Sequence, residues 1–291
     1  MSNALTTKTS SLPETVYSPE FGLRRPGLLL RSMVRDLRAA RPLGWELAKR
    51  DISAKYRQSL LGIAWKFVPP VMTAFIFIAL NSRKVITIDT GNVPYPVFVL
   101  IGTVLWRMFT ASLMAPLTAV QRAKPMLAKL NFPREAIIVS SITQVLYEFC
   151  ISLVILAVLF VAFGLDLSIG VLLFPIAALS VMLLGFSIGL LLAPVGSLYS
   201  DAASFLTTIT LPWMLITPVV YAAPRNGIIA LVSRVNPVAP LITGSRELAT
   251  EGAMSDPVSF AVVVVASLVG VFLGLVLYRL VMPIIIEKMG G

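Results

Sequence analysis

The sequence predicts an all-α integral membrane protein with six transmembrane helices, and three observations predict it. Of 291 residues, 57% are hydrophobic and 13% charged, about half the charged share of a soluble domain. Mean hydropathy is +0.88, and apolar runs of about 20 residues, the length that crosses a bilayer, recur along the chain. The net charge of +10 is concentrated in segments that flank those runs. That is the positive-inside pattern, with Lys and Arg held on the cytoplasmic side, so the basic balance speaks for membrane orientation and against a nucleic-acid partner.

Three divisions follow in order. Residues 1–42 read as a cytoplasmic N-terminal tail ending in a basic amphipathic segment. Up to residue 27 the chain is polar, contains proline, and lacks the apolar stretch and cleavage site of a signal peptide. From Leu28 to Arg41, an apolar stripe of Leu30, Met33, Val34 and Leu37 stands beside a basic stripe of Arg31, Arg35, Arg38 and Arg41. Such a helix suits an anionic inner leaflet, and Pro42 is expected to break it. Residues 43–59 read as a second amphipathic helix, with Trp45, Ala48, Ile52 and Tyr56 on one face and Glu46, Arg50, Ser53 and Arg57 on the other. Periodicity alone describes an interfacial anchor.

Residues 60–291 are the six-helix membrane domain. The first span, Leu60 to Leu80, carries Lys66 near its start, where it can snorkel to the interface, and Pro69-Pro70, which imply a kink. The second, Tyr95 to Val120, holds Trp106-Arg107 in its middle third; a charge at that depth faces protein or water, and Glu148 in the third span is its expected partner. Gln121 to Glu135 is a basic loop in which 125–130 has room for a short helix. Along the third span, Ala136 to Phe163, Gln144, Tyr147 and Glu148 fall on one face. Cys150, the single cysteine, permits no intrachain disulfide and reads as a buried thiol. Two further spans, Ile169 to Val195 and Ser204 to Tyr221, flank a short turn carrying Asp201. An outer segment, Ala222 to Pro257, contains two apolar stretches too short to span. The last span runs from Val258 to Met282. Glycine pairs Gly185/Gly189 and Gly270/Gly274 permit close helix contact. Both termini then lie inside.

The chain lacks the parts of an enzyme. There is no GxxxxGK[ST] phosphate loop, no Cys or His cluster for a metal, and no histidine at all. Metal ligands and catalytic residues are therefore both expected to be none.

Four stretches carry a resemblance. Glu46 to Pro70, ELAKRDISAKYRQSLLGIAWKFVPP, has an RDI-x-x-x-Y-R run (Arg50, Asp51, Ile52, Tyr56, Arg57), then L-G-x-x-W (Leu61, Gly62, Trp65) and Pro69. LAKLNFPRE (Leu127 to Glu135), YSDAASF with ITPVVYAAP (Tyr199 to Phe205, Ile216 to Pro224), and NPVAPLITGSREL (Asn236 to Leu248) follow in order. Together they resemble the permeases of ABC-2 type transporters, in particular those that export O-antigen and teichoic acid, over residue 43 to the C-terminus. One departure is Ser200, where the family often has Arg; the arginine-rich N-terminal extension is not part of the shared core.

The resemblance implies an ABC-2 (type V) exporter fold in a bacterial inner membrane. It implies a homodimer, each subunit paired with a separate ABC ATPase that binds ATP and magnesium, so that this chain itself needs no cofactor. The implied substrate is a polysaccharide on a polyprenyl-pyrophosphate carrier. Trp45, Lys49, Arg50, Lys55, Tyr56 and Arg57 would form a gate helix meeting the lipid headgroup. Lys124, Lys129, Asn131, Phe132, Pro133 and Arg134, with Asp201, would couple to the ATPase. Aromatic and polar residues suited to a glycan, Tyr95, Trp106, Arg107, Tyr147, Glu148, Trp213 and Tyr221, are candidates for a channel lining, beside the plainer reading of helix packing. Two alternatives stay open: an exporter of a drug or small lipid, and a membrane enzyme acting on lipid-linked sugars, for which Glu247, Glu251 and Asp256 are the outer acids.

Overall fold

The structure is a computed structural model that describes residues 26–57, 59–83, 93–127, 133–164, 169–199, 201–222 and 227–290. Ten α-helices are described: α1 Pro26–Ala39, α2 Arg41–Tyr56, α3 Val68–Ser82, α4 Tyr95–Leu127, α5 Glu135–Ala162, α6 Ile169–Leu198, α7 Asp201–Ile216, α8 Ile228–Val235, α9 Val238–Thr250 and α10 Pro257–Gly290. A 3₁₀ turn, Gly62–Lys66, precedes α3. The described residues hold no strand.

Among the described residues, five stretches are long and apolar enough to cross a membrane: Gly62–Leu80, Tyr95–Leu127, Glu135–Ala162, Gly170–Gly196 and Pro257–Ile285. The expected fifth crossing differs. Its helix, α7, has 16 residues, about 24 Å of rise, and ends at Ile216 in a turn over Thr217 to Val219 instead of reaching Tyr221. Pro218 supplies no amide hydrogen to continue the ladder.

Other boundaries moved for local reasons. The first break comes at Ala40, not Pro42, because a proline in the first helical turn gives up an amide that would be unpaired anyway. By the same logic Pro69 and Pro70 open α3 after the 3₁₀ turn and do not kink a continuous span. The second span runs on as helix to Leu127 with Pro116 and Pro125 inside it, so the start of the predicted loop is the last turn of α4. The last helix passes Pro283 without stopping. Asp256 caps it by accepting the Ser259 amide at 3.0 Å, with Pro257 in the first turn.

The core is built around α4, which is mostly buried, whereas α3 and α10 are mostly exposed. Helix α4 packs chiefly on α6, which also contacts α10 and α9, and α5 closes against α4 on another side. Between apolar helices in lipid, attraction comes from close van der Waals contact more than from water exclusion. Glycines supply the closeness. A Cβ at Gly185 or Gly189 would overlap the Phe109 or Leu113 carbonyl of α4, and one at Gly274 would sit 3.0 Å from Leu190. The outward faces are apolar: Val154, Val158 and Val161 of α5, and Val262, Val265 and Val269 of α10. Cys150 stands on the outward side of α5, exposed and not buried as expected.

The segment after α7 folds inward. Helices α8 and α9 are short, and α9 packs on α6, α4 and α10. Arg246, within the expected outer segment Ala222 to Pro257, is 3% exposed.

Candidate functional site: a charged cleft between α2, α4 and α5

Helix α2 lies along the first half of α5. Gly44 faces Val139 and Ala136, where a Cβ would come within 2.6 Å of Val139. Further along, Lys55 approaches Glu148 at 3.5 Å. The two helices therefore run in the same direction over this stretch. The buried side of α2 is Gly44, Leu47 and Ala48. Trp45, assigned to the same face as Ala48 from its spacing, is 59% exposed, because the packed face is turned toward Gly44 and Leu47. Lys49, Arg50, Lys55 and Arg57 are exposed, and Tyr56 is half-buried.

A cleft of about 190 Å³ opens between these helices and α4, lined among others by Asp51, Lys55, Tyr56, Arg122, Gln144, Tyr147 and Glu148. Gln144, Tyr147 and Glu148, one polar face of an apolar helix, all meet in it. Lys66 closes it. Its ammonium lies 2.7 Å from Glu148, its side chain is 3% exposed, and the Tyr147 and Tyr56 rings flank it at 4.5 and 5.7 Å. The snorkelling expected of Lys66 is not what occurs. The 3₁₀ turn directs the side chain inward, where a carboxylate and two aromatic faces replace its water.

The expected Arg107–Glu148 pair is corrected by the same contacts. Among the described residues the ion-pair partners of Glu148 are Lys66 and Lys55. Arg107 remains close enough to act on Tyr56 through its charge. Burial first, then the Glu148 carboxylate, pushes the Tyr56 hydroxyl up to about 12, so it stays protonated at any physiological pH.

The other end of the cleft reaches the last turns of α4. Asp51 accepts from the Arg50 guanidinium at 3.0 Å and lies 3.8 Å from Arg122. Arg50 also donates to the Met126 Sδ at 3.3 Å. These contacts tie α2 to the segment that leads toward residues 128–135. Of the expected coupling group, Lys124 is helical, Pro133 is exposed and Arg134 half-buried, with its carbonyl accepting from the Tyr278 hydroxyl at 3.2 Å. Asp201 begins α7. Lys129, Asn131 and Phe132 lie outside the described residues, as do residues 1–25.

The lining candidates divide. Tyr147 and Glu148 line the cleft. Tyr95 is buried and donates to the Val220 carbonyl at 3.2 Å. Trp106 is 7% exposed and packs with Phe109 (5.2 Å between ring centroids) and Trp213 (6.2 Å, T-shaped). In this structure Tyr95, Trp106 and Trp213 are therefore engaged in packing, and half-buried Tyr221 rests against the same core.

Sequence reasoning passed over Lys66, Asp51 and Arg122 as site members, and also Asn236 and Arg246. Asn236 donates to the Thr217 hydroxyl at 2.7 Å and accepts from the Trp213 indole at 3.2 Å and the Val238 amide at 3.1 Å. Arg246 donates to the Val219 and Pro218 carbonyls at 3.0 and 3.1 Å and stacks 3.5 Å over the Phe98 ring. Burial pulls its guanidinium down to about 9, against the Glu247 and Glu251 carboxylates, which leaves it charged at neutral pH. Arg246 satisfies the open Pro218 and Val219 carbonyls of the turn that ends α7, and Asn236 ties the Thr217 side chain to Trp213 and Val238. The available signal was a polar residue next to proline and an arginine within apolar surroundings.

Residues 43–249 match the ABC-2 type transporter family. An O-antigen export system permease protein, RfbA, of Myxococcus xanthus is 26% identical over 228 residues, covering 77% of this chain and 86% of that protein. A protein of the same name from Klebsiella pneumoniae is 25% identical over 214 residues, covering 72% and 80%, and another from that organism is 22% identical over 213 residues. With five membrane-length helices and a match across most of its length, the chain belongs to the ABC-2 type transporter family as a multi-pass membrane transport subunit.

Proposed function

We propose that this chain is the permease of an ATP-driven exporter that moves a polysaccharide on a polyprenyl-pyrophosphate carrier across a bacterial inner membrane, with α7 and the turn after it completing a sixth crossing so that both termini are cytoplasmic. Two copies would pair with two ABC ATPase subunits, which bind the ATP and magnesium. The names of the relatives support the substrate class. The cleft between α2, α4 and α5 supports the lipid-linked form. It sets Lys55 and Arg122 around a space bounded by tyrosines, with Lys66 behind it on Glu148, toward the end of the bundle where α4 finishes. A diphosphate would compete with Glu148 and Asp51 for these cations through charge-assisted hydrogen bonds. The lipid tail would stay in the bilayer beside the exposed apolar face of α3. Bond-making chemistry has no place in this scheme; the ATPases supply the work, and residues 124–134 with Asp201 receive it.

The test is made in cells that express the whole export operon. Deleting this gene is expected to abolish surface polysaccharide while its lipid-linked form accumulates inside, and the purified chain is expected to bring an ABC ATPase at near-equal stoichiometry. Surface polysaccharide that persists in the deletion strain refutes the substrate. A chain that purifies without any ATPase refutes the exporter reading.

A further inference from the structure

We infer that α1 is a docking helix for anionic phospholipid headgroups, latched to the bundle through its single carboxylate. Asp36 is the only acid between Pro26 and Ala39. It is turned away from solvent, 2.7 Å from Arg279 of α10, with side chains 15% and 17% exposed. On the same inner side Met33 is 5% exposed and Leu37 packs on the core. One carboxylate oxygen is held inward by Arg279 and the other is 3.3 Å from the Arg35 guanidinium, which is itself 78% exposed; Arg31 and Arg38 are exposed on the outer face, followed by Arg41 at the start of α2.

Position decides the occupant. Helix α1 packs on α5, which starts its crossing at Glu135, and pairs with Arg279 near the end of the α10 crossing. It therefore stands level with two span ends, where headgroups lie. Val34, 46% exposed between the arginines, adds apolar surface to the basic face, a combination that suits an interface. Guanidinium groups bind phosphate oxygens in pairs, and several basic residues beside a span attract anionic lipid. The helix precedes residues 43–249, the part that matches the transporter family, so the inference is independent of what is transported.

The experiment is hydrogen exchange on the full-length chain in nanodiscs of phosphatidylcholine alone and of equal parts phosphatidylcholine and phosphatidylglycerol. Amides of residues 31–39 are expected to exchange more slowly in the anionic discs, by roughly fivefold for each engaged arginine. Replacing Arg31, Arg35 and Arg38 together by Gln removes that difference, and replacing them by Lys keeps it. If the Gln variant also exchanges fast throughout α4, it has lost its fold, and the unsubstituted and Lys chains decide. Equal exchange in the two lipids overturns the inference. Slowing that appears only with an ATPase subunit bound, in either lipid, overturns it in favour of a protein partner.

Discussion

Replacing Glu148 by Gln is expected to destabilise the protein more than replacing Lys66 by Met, and the asymmetry follows from the contacts. Lys66 is 3% exposed at its side chain and has Glu148 at 2.7 Å as its ion-pair partner. Removing the carboxylate leaves a buried ammonium without a counter-ion, a change that costs about 3–5 kcal/mol. The Tyr147 ring at 4.5 Å offsets this by up to about 2 kcal/mol. Removing Lys66 instead leaves Glu148 17% exposed and still 3.5 Å from Lys55. Lys55 is more than half exposed, so that pair contributes under about 1 kcal/mol, yet it spares the carboxylate full isolation. The net expectation is about 2–3 kcal/mol for Glu148→Gln and about 1–2 kcal/mol for Lys66→Met, with the double variant less destabilised than the sum of the two. Unfolding titrations with sodium dodecyl sulfate in mixed micelles measure all three. Equal losses for the single variants, together with strict additivity, would refute the pairing as described. Exchanging Arg107 and Glu148 by charge reversal is expected to restore nothing.

Three further predictions concern other buried contacts of the fold. Gly44→Ala places a methyl 2.6 Å from Val139 and 2.9 Å from the Ala136 carbonyl, so α2 must shift from α5; a loss of about 1–3 kcal/mol is expected, partly recovered by Val139→Ala, read as the midpoint of thermal aggregation. Arg246→Lys is expected to fail where one ammonium must replace a fork spanning two carbonyls, with a loss of about 2 kcal/mol and faster proteolysis after Ile216. Tyr56 binds its proton more tightly folded than unfolded, since its hydroxyl is pushed up to about 12 against about 10 in an unfolded chain. Its contribution is full below pH 10 and declines as pH rises toward 12, because there the unfolded state has released a proton that the folded state keeps. Tyr56→Phe is expected to flatten that part of the stability profile, and an unchanged slope between pH 10 and 12 would count against the burial of the hydroxyl.

Much of the site was readable as a pattern and not as a set of contacts. The polar stripe of Gln144, Tyr147 and Glu148 announced that α5 turns one face to something other than lipid, because a carboxylate in hydrocarbon is costly. What it turned toward was misread. Arg107 was the conspicuous charge, being deep in a span, while Lys66 looked like an ordinary snorkelling residue. Distance along the chain from a span end says where a side chain is able to reach; it does not say whether a partner waits inside. Trp45 was misplaced for a related reason: spacing groups residues on a helix face but does not say which face packs, and Gly44 drew the contact with α5.

The sequence by itself determined that this is a helical membrane protein and roughly where its crossings begin and end. Those properties follow from run length, composition and residue types, which are local to the chain. Only the tertiary structure decided that the helix of the fifth apolar run stops at Ile216, that Arg246 is buried beneath that turn, and that Lys66 pairs with Glu148 beside a cleft against α2. Each of these depends on which groups meet across the fold, where a carbonyl, carboxylate or aromatic face supplies the solvation that water gives elsewhere.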